Sequence, residues 1–131
     1  MIVDSSALVA ILLNELDAEV FTRKISETAS LSMSTASFFE TSIVVDSKRD
    51  PFVSRGLEQF CKDAEIRFVA VDEIHMRIAR EAYRDFGKGS RHKAQLNFGD
   101  CFAYALAKAN GEPLLYKGKD FSHTDVASAL D

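Results

Sequence analysis

The sequence predicts an α/β fold: a mostly parallel sheet covered by helices on both faces. Three observations predict it. Short apolar runs alternate with helical stretches along the chain. Those runs lack the in–out alternation of a half-exposed strand, as strands buried on both faces do. Acids follow the apolar runs closely, where the carboxyl ends of parallel strands would place a site. The 131 residues show no repeat, low-complexity stretch or linker, so residues 1–131 are expected to form one domain.

Each element has a local reason. Met1-Ile2-Val3 is a first strand ending at Asp4. Ser5 or Ser6 caps a helix from Ala7 to about Asn14, apolar on all sides and therefore buried. A second, amphipathic helix from Asp17 to Thr28 carries Val20, Phe21 and Ile25 at helical spacing. "SLSM" (Ser30 to Met33) is the second strand, and Ser34 opens a helix through about Lys48. Asp50-Pro51 pairs an N-cap with proline at the first helical position, starting a helix to Ala64 that buries Val53, Leu57, Phe60 and Cys61. "IRFVAV" (Ile66 to Val71) is a strand, and Asp72 caps a helix to about Phe86. A polar, basic loop, Gly87 to Gln95, precedes an apolar helix that opens near Asp100 and ends at Asn110-Gly111. Pro113 starts the strand "PLLY", and a turn leads to a last short element near Val126.

Composition narrows the function. Apolar residues make up 47% and charged residues 27%, ordinary for a globular protein. The net charge of -4 argues against coating nucleic acid by bulk charge, but leaves room for a phosphodiester held through metal ions. Cys61 and Cys101 lie in apolar helical patterns without zinc-ligand spacing and read as small buried hydrophobes. The apolar run Ala7 to Leu13 is too short to span a membrane and has no basic flank. The expectation is a cytoplasmic protein without a targeting segment. There is no P-loop, dinucleotide-binding or nucleophile-elbow motif.

Four acids stand out. Asp4 follows the first strand, and alone it would read as a helix cap. Glu40 has Ala36, Ser37, Ile43 and Val44 as its helical neighbours, a small and apolar face on which a carboxylate needs compensation. Asp100 opens its helix, where the dipole favours negative charge. Asp120 follows the strand "PLLY" by a short turn. A parallel sheet can bring all four to one end, where they would repel one another and their pKa values would rise. A hard divalent cation such as Mg²⁺ or Mn²⁺ removes the conflict, binds phosphate oxygens and activates water, which points to phosphodiester hydrolysis. Arg84, Lys88, Arg91, His92 and Lys93 cluster in sequence and are expected to form a basic rim for the nucleic-acid backbone. Read blandly, they are a solvated loop.

The pieces "MIVDSSALVAIL", "STASFFETSIVV" and "HKAQLNFGDCFAYALAKANGEPLLYKGKDFSHTDV" together resemble the PIN-domain ribonucleases, specifically the VapC-type toxins of bacterial toxin–antitoxin pairs. The resemblance spans nearly the whole chain. It implies a three-layer α/β/α sandwich whose acidic pocket binds Mg²⁺ or Mn²⁺ and hydrolyses RNA with a metal-activated water. It carries the catalytic and metal-binding roles onto Asp4, Glu40, Asp100 and Asp120, with Asp125 open as the alternative to Asp120. Ser6 matches a family hydroxyl that hydrogen-bonds within the pocket. It also implies homodimers and a VapB-like antitoxin that plugs the pocket. Lys119 and Lys93 depart from the family pattern; the latter replaces a frequent proline and implies a more flexible loop.

Two other readings compete. A phosphoacceptor receiver domain would use Asp72 as acceptor, Asp4 as metal ligand and Lys117 as the strand-end lysine. It leaves Glu40 and Asp100 unexplained. A non-catalytic PIN-like binding module would keep the fold without the chemistry, yet all four acids are present.

Overall fold

The computed structural model describes residues Met1–Asp131. Its centre is a four-stranded, all-parallel sheet in the order β3-β2-β1-β4. The strands are β1 (Ile2–Val3), β2 (Leu31–Ser34), β3 (Ile66–Val69) and β4 (Leu114–Leu115). Six helices connect them: α1 (Ser5–Leu12), α2 (Ala18–Ser26), α3 (Thr35–Asp46), α4 (Pro51–Asp63), α5 (Glu73–Phe86) and α6 (Phe98–Asn110). A 3₁₀ turn, Phe121–His123, follows β4.

The pleat distributes the strand residues between two cores. Ile2 and Leu114, paired across β1 and β4, share one apolar cluster with Leu96, Leu106 and Phe121. Val3 and Leu115, the next pair, face the other cluster with Leu8, Phe21, Met33, Leu57 and Cys61. Successive strand residues thus point to opposite faces, both apolar, because both faces are covered. Helices α1, α2 and α4 supply one layer, and α5 packed on α6 the other.

Side-chain caps fix most helix starts. Asp4 accepts from Ser6 N–H at α1, Ser34 from Ala36 at α3, Asp50 from Phe52 at α4, and Asp72 from His75 at α5. The cap of α1 is therefore Asp4, not Ser5 or Ser6, and the helix starts two residues earlier than Ala7. Gly111 ends α6 at φ 64°, a left-handed conformation that costs glycine nothing. The strand expected to reach Val71 stops at Val69, and Val20 is half exposed while Phe21 and Ile25 carry the burial of α2.

The chain runs β1, β2, β3 outward to one edge, then returns to place β4 on the other side of β1. The order reverses between β1 and β4, and a crevice opens outside the carboxyl ends of the strands at such a point. Leu8 is fully buried against the sheet. Leu8→Ala is expected to cost about 2–5 kcal/mol, read as a lower urea midpoint at unchanged slope.

Candidate active site

The crevice is a cavity of about 360 Å³ at the β1/β4 edge. Five acids line it, namely Asp4, Glu15, Glu40, Asp100 and Asp120, with Lys117 as the one cationic side chain among the lining residues. The four acids expected from sequence therefore share one cavity.

Asp4 is 1% exposed. Its Oδ2 accepts from the Ser6 N–H at 3.0 Å and the Ser6 hydroxyl at 2.5 Å, while Oδ1 is buried with no hydrogen-bond donor. Burial pushes the Asp4 carboxyl up to about 6; the Ser6 and Ser5 hydrogen bonds oppose the rise and the Glu40 charge adds to it. An orphaned buried carboxylate oxygen on a polar cavity is expensive unless a cation or proton meets it.

Asp100 is held by a reciprocal cap at the start of α6. Its N–H donates to Asn97 Oδ1 at 2.8 Å, and its Oδ2 accepts from Asn97 N–H at 2.9 Å. Burial raises the Asp100 carboxyl to about 7, with the charges of Asp4, Asp120 and Glu40 adding to the rise and the Asn97 N–H opposing it.

Glu40 comes from α3 and accepts the Ser5 hydroxyl at 2.5 Å on Oε1. Its helix face is less sealed than the sequence suggests, since Ile43 is 57% exposed and Val44 lines the cavity. Gly99 leaves room for the Glu40 side chain: a β-carbon there would overlap its carboxylate, Oε2 foremost, and the carboxylate would have to move. Asp120 is exposed on the turn after β4 and caps nothing. Asp125 is turned away, accepting from the Tyr104 hydroxyl and the Lys108 ammonium, which holds its carboxyl below the usual range.

The donor set is all oxygen, which suits a hard divalent cation. No three of the acids stand close enough to hold an ion as they are placed, so closing on one takes side-chain rotation. The unpartnered Asp4 Oδ1 is the feature that fits a cation directly.

The basic cluster does not join this site. None of Arg84, Lys88, Arg91, His92 or Lys93 lines the cavity. The loop folds back on α5 instead: Lys88 N–H donates to Leu96 O, Leu96 N–H to Phe86 O, and the His92 ring packs edge-on to Phe86 with centroids 4.9 Å apart. His92 Nδ1 also accepts from Ala94 N–H. Arg84 pairs with Asp85. The receiver reading also fails: Asp72 caps α5 beyond β3, on the sheet edge opposite β4 and Lys117.

Four cavity residues escaped the sequence reading of this site. Asn97 was detectable, since it stands three residues before Asp100 as a capping box requires. Ser5 was read only as a helix cap. Glu15 and Lys117 meet at 2.9 Å from 102 positions apart, and nothing local marks them as partners.

Gly99→Ala separates site geometry from helix propensity. Alanine normally stabilises a helix interior by about 0.5–1 kcal/mol over glycine. With Glu40 present, displacing its carboxylate and losing the Ser5 hydrogen bond is expected to offset that gain by about 1 kcal/mol. In a Glu40→Ala background the same substitution is expected to be neutral or stabilising. A thermodynamic cycle from urea unfolding reads the coupling, and equal effects in both backgrounds would rule out the contact.

Known proteins align with this chain over all or nearly all of its length. The family model PIN domain matches residues 1–127. Ribonuclease VapC28 of Mycobacterium tuberculosis is 50% identical over 131 residues, covering 100% of this chain and 98% of that protein. Ribonuclease VapC of Mycolicibacterium smegmatis is 49% identical over 128 residues, 98% of each. Among solved structures, M. tuberculosis VapC20, described as a sarcin-ricin loop cleaving toxin, superposes with a TM-score of 0.78 at 16% identity, over 96% of this chain and 95% of that one. A toxin-antitoxin complex from Klebsiella pneumoniae gives 0.70 at 10% identity, over 95% and 92%. The low-identity structures share the fold, and the close relatives share the sequence: the chain belongs to the PIN-domain family, among its VapC-type ribonuclease toxins.

Proposed function

We propose that this protein is a metal-dependent endoribonuclease, the toxin of a toxin–antitoxin pair, with RNA as substrate and a VapB-like antitoxin as partner. The observation that carries the reading is Asp4 Oδ1, a buried carboxylate oxygen without a donor in a cavity shared with Asp100, Glu40 and Asp120. The ribonuclease names of the close relatives support the substrate class, and the toxin-antitoxin complex of similar fold supports the partner. No helix is long and apolar enough to cross a membrane. A cytoplasmic location and a homodimer belong to the same proposal, on the family resemblance alone.

In this reading Asp4 and Asp100 hold Mg²⁺ or Mn²⁺, with Glu40 and Asp120 completing the set. Bound there, the ion supplies charge compensation for the phosphodiester and water activation at neutral pH. The chain's own groups do the positioning. Ser6 fixes Asp4 through Oδ2 and leaves Oδ1 without a donor, and the Asn97 cap fixes Asp100. Ser5 holds Glu40 across from the start of α6, where its carboxylate can orient a hydrolytic water. Arg84, Lys88, Arg91 and Lys93, outside the cavity, meet the RNA strand beyond the scissile phosphate.

Purified protein is expected to cleave RNA and to lose cleavage with EDTA. Disturbing a group that merely supports a ligand costs about 10–100-fold, so Asp100→Asn is expected to cost at least about 100-fold. Unchanged cleavage by that variant would remove the site.

The raised carboxyls also give a pH dependence to the metal-free protein. Asp4 and Asp100 carry values of about 6 and about 7 in the fold against an ordinary 3.8. Between those limits the folded chain keeps protons that the unfolded chain has released, so stability falls as pH rises. Glu112 and Asp125, lowered from 4.5 and 3.8, act with the opposite sign but only below those values. The urea midpoint is therefore expected to fall from about pH 5 to about pH 7, and to flatten in Asp4→Asn/Asp100→Asn. Mn²⁺ competes with the same protons, so its affinity is expected to rise over that window. A midpoint that climbs with pH would contradict the assignment.

A further inference from the structure

The cavity poses an electrostatic problem that the metal ligands do not solve. Five acids line it, and the basic residues expected at its rim lie elsewhere. A phosphate of the RNA strand entering there meets carboxylates on every wall, and a single positive side chain, Lys117.

Lys117 is built into the mouth rather than left free. Its N–H donates to the Ser6 hydroxyl at 2.9 Å, the same hydroxyl that donates to Asp4. Its ammonium reaches Glu15 at 2.9 Å and Asp17 at 3.1 Å, with the side chain still 38% exposed. An ammonium has three N–H donors and no acceptor. Two are taken by these carboxylates and the third is uncommitted. Glu15 and Asp17 thus keep the stem out of the Asp4 pocket, where the ammonium would neutralise the acids, and present it beside the cavity.

We propose that Lys117 is the phosphate-binding residue of this site, contacting an RNA phosphate next to the scissile one, with Glu15 and Asp17 holding its ammonium at the mouth. This rests on the ribonuclease reading above. It assigns the lysine a contact with substrate, not a share in holding the metal.

The alternative role for Lys117 is a strut that keeps the Asp120 turn against the turn between α1 and α2, and the two roles differ in sign. If Lys117 binds phosphate, Lys117→Met weakens RNA binding but leaves Mn²⁺ affinity equal or higher, since a positive charge has left an acidic cavity. If it is a strut, both affinities fall together.

The experiment measures binding of a short, fluorescein-labelled single-stranded RNA of mixed sequence, with Mg²⁺ present, in the slow-cleaving Asp100→Asn background. Lys117→Met is expected to weaken binding about tenfold and to lower the slope of log K against log salt by about 0.7, the loss of one phosphate contact on a single strand. Lys117→Arg is expected to keep the slope. Glu15→Gln, which frees another donor and removes a repelling charge, is expected to tighten RNA binding. Mn²⁺ titration of Lys117→Met with Asp100 intact supplies the second readout. An unchanged salt slope, parallel loss of RNA and Mn²⁺ affinity, or weaker RNA binding by Glu15→Gln each overturns the assignment. Protein with both Lys117 and Asp100 intact that neither binds nor cleaves RNA overturns the ribonuclease reading with it. If Lys117→Met does not fold, the strut role stands and the proposal falls.

Discussion

Asp4 Oδ1 sets the terms for the rest of this fold. A carboxylate oxygen sealed from water with no donor is among the costlier things a protein can bury, and here the carboxyl answers by binding protons more tightly, up to about 6. The residue cannot move away, because it is at once the end of β1 and the cap of α1. Its N–H is tied to Leu115 O of β4, and Ser6 grips the other oxygen. The apolar packing of Leu8, Val3 and Leu115 beneath it holds a charge in a place that the charge itself disfavours. Any cation bound only by the folded chain returns stability by mass action, about 2.7 kcal/mol at a hundred times its dissociation constant.

The remaining acids are positioned by the same backbone. Asp120 follows β4, which pairs in register with β1, so the strand bonds that locate Asp4 also bring in the turn carrying Asp120. Ser6 reinforces this by accepting from Lys117 on that turn while donating to Asp4. Asp100 and Glu40 arrive on helices from different parts of the chain, and the missing side chain of Gly99 leaves room for the Glu40 carboxylate. A shift of α3 against α6 would therefore move Glu40 relative to Asp100, whose own position is locked by the Asn97 cap.

Much of this was legible from residue order because the key acids break local rules. An aspartate ending an apolar run, a glutamate among small apolar helical neighbours and an aspartate opening a buried helix each need a reason beyond their own element. The parallel arrangement supplies a common one. What stayed hidden depends on contacts between distant positions. Sequence leaves Asp125 open as the alternative to Asp120; the fold separates them because Tyr104 and Lys108, four apart on one face of α6, both reach Asp125. The basic cluster lies outside the cavity for a related reason. Nearness to Asp100 in sequence suggested a place in the cavity wall, but the Leu96–Phe86 and Lys88–Leu96 bonds close the loop at its base, and none of its basic residues lines the cavity. Lys117 suggested a role only within the receiver reading, since its partners Glu15 and Asp17 lie on the far side of the sequence.

The charge pattern of the cavity bears on the order in which ligands enter. With five carboxylates and one ammonium along its walls, the field there draws cations in and opposes phosphate. With the Asp4 and Asp100 carboxyls raised to about 6 and about 7, a cation that binds them displaces protons, so cation binding and proton release are coupled. Once a divalent ion sits among the carboxylates, the sign of the field at the centre changes, and a phosphodiester gains where it would have lost. Linkage makes the effect reciprocal: whatever factor the ion adds to RNA affinity, RNA adds to the affinity for the ion. The protein's fixed contribution is then to keep its own cation off the carboxylates without losing it to solvent. The Glu15–Lys117–Asp17 contacts have the geometry for that task, leaving the acids to an ion that can exchange and the lysine to the strand that arrives after it.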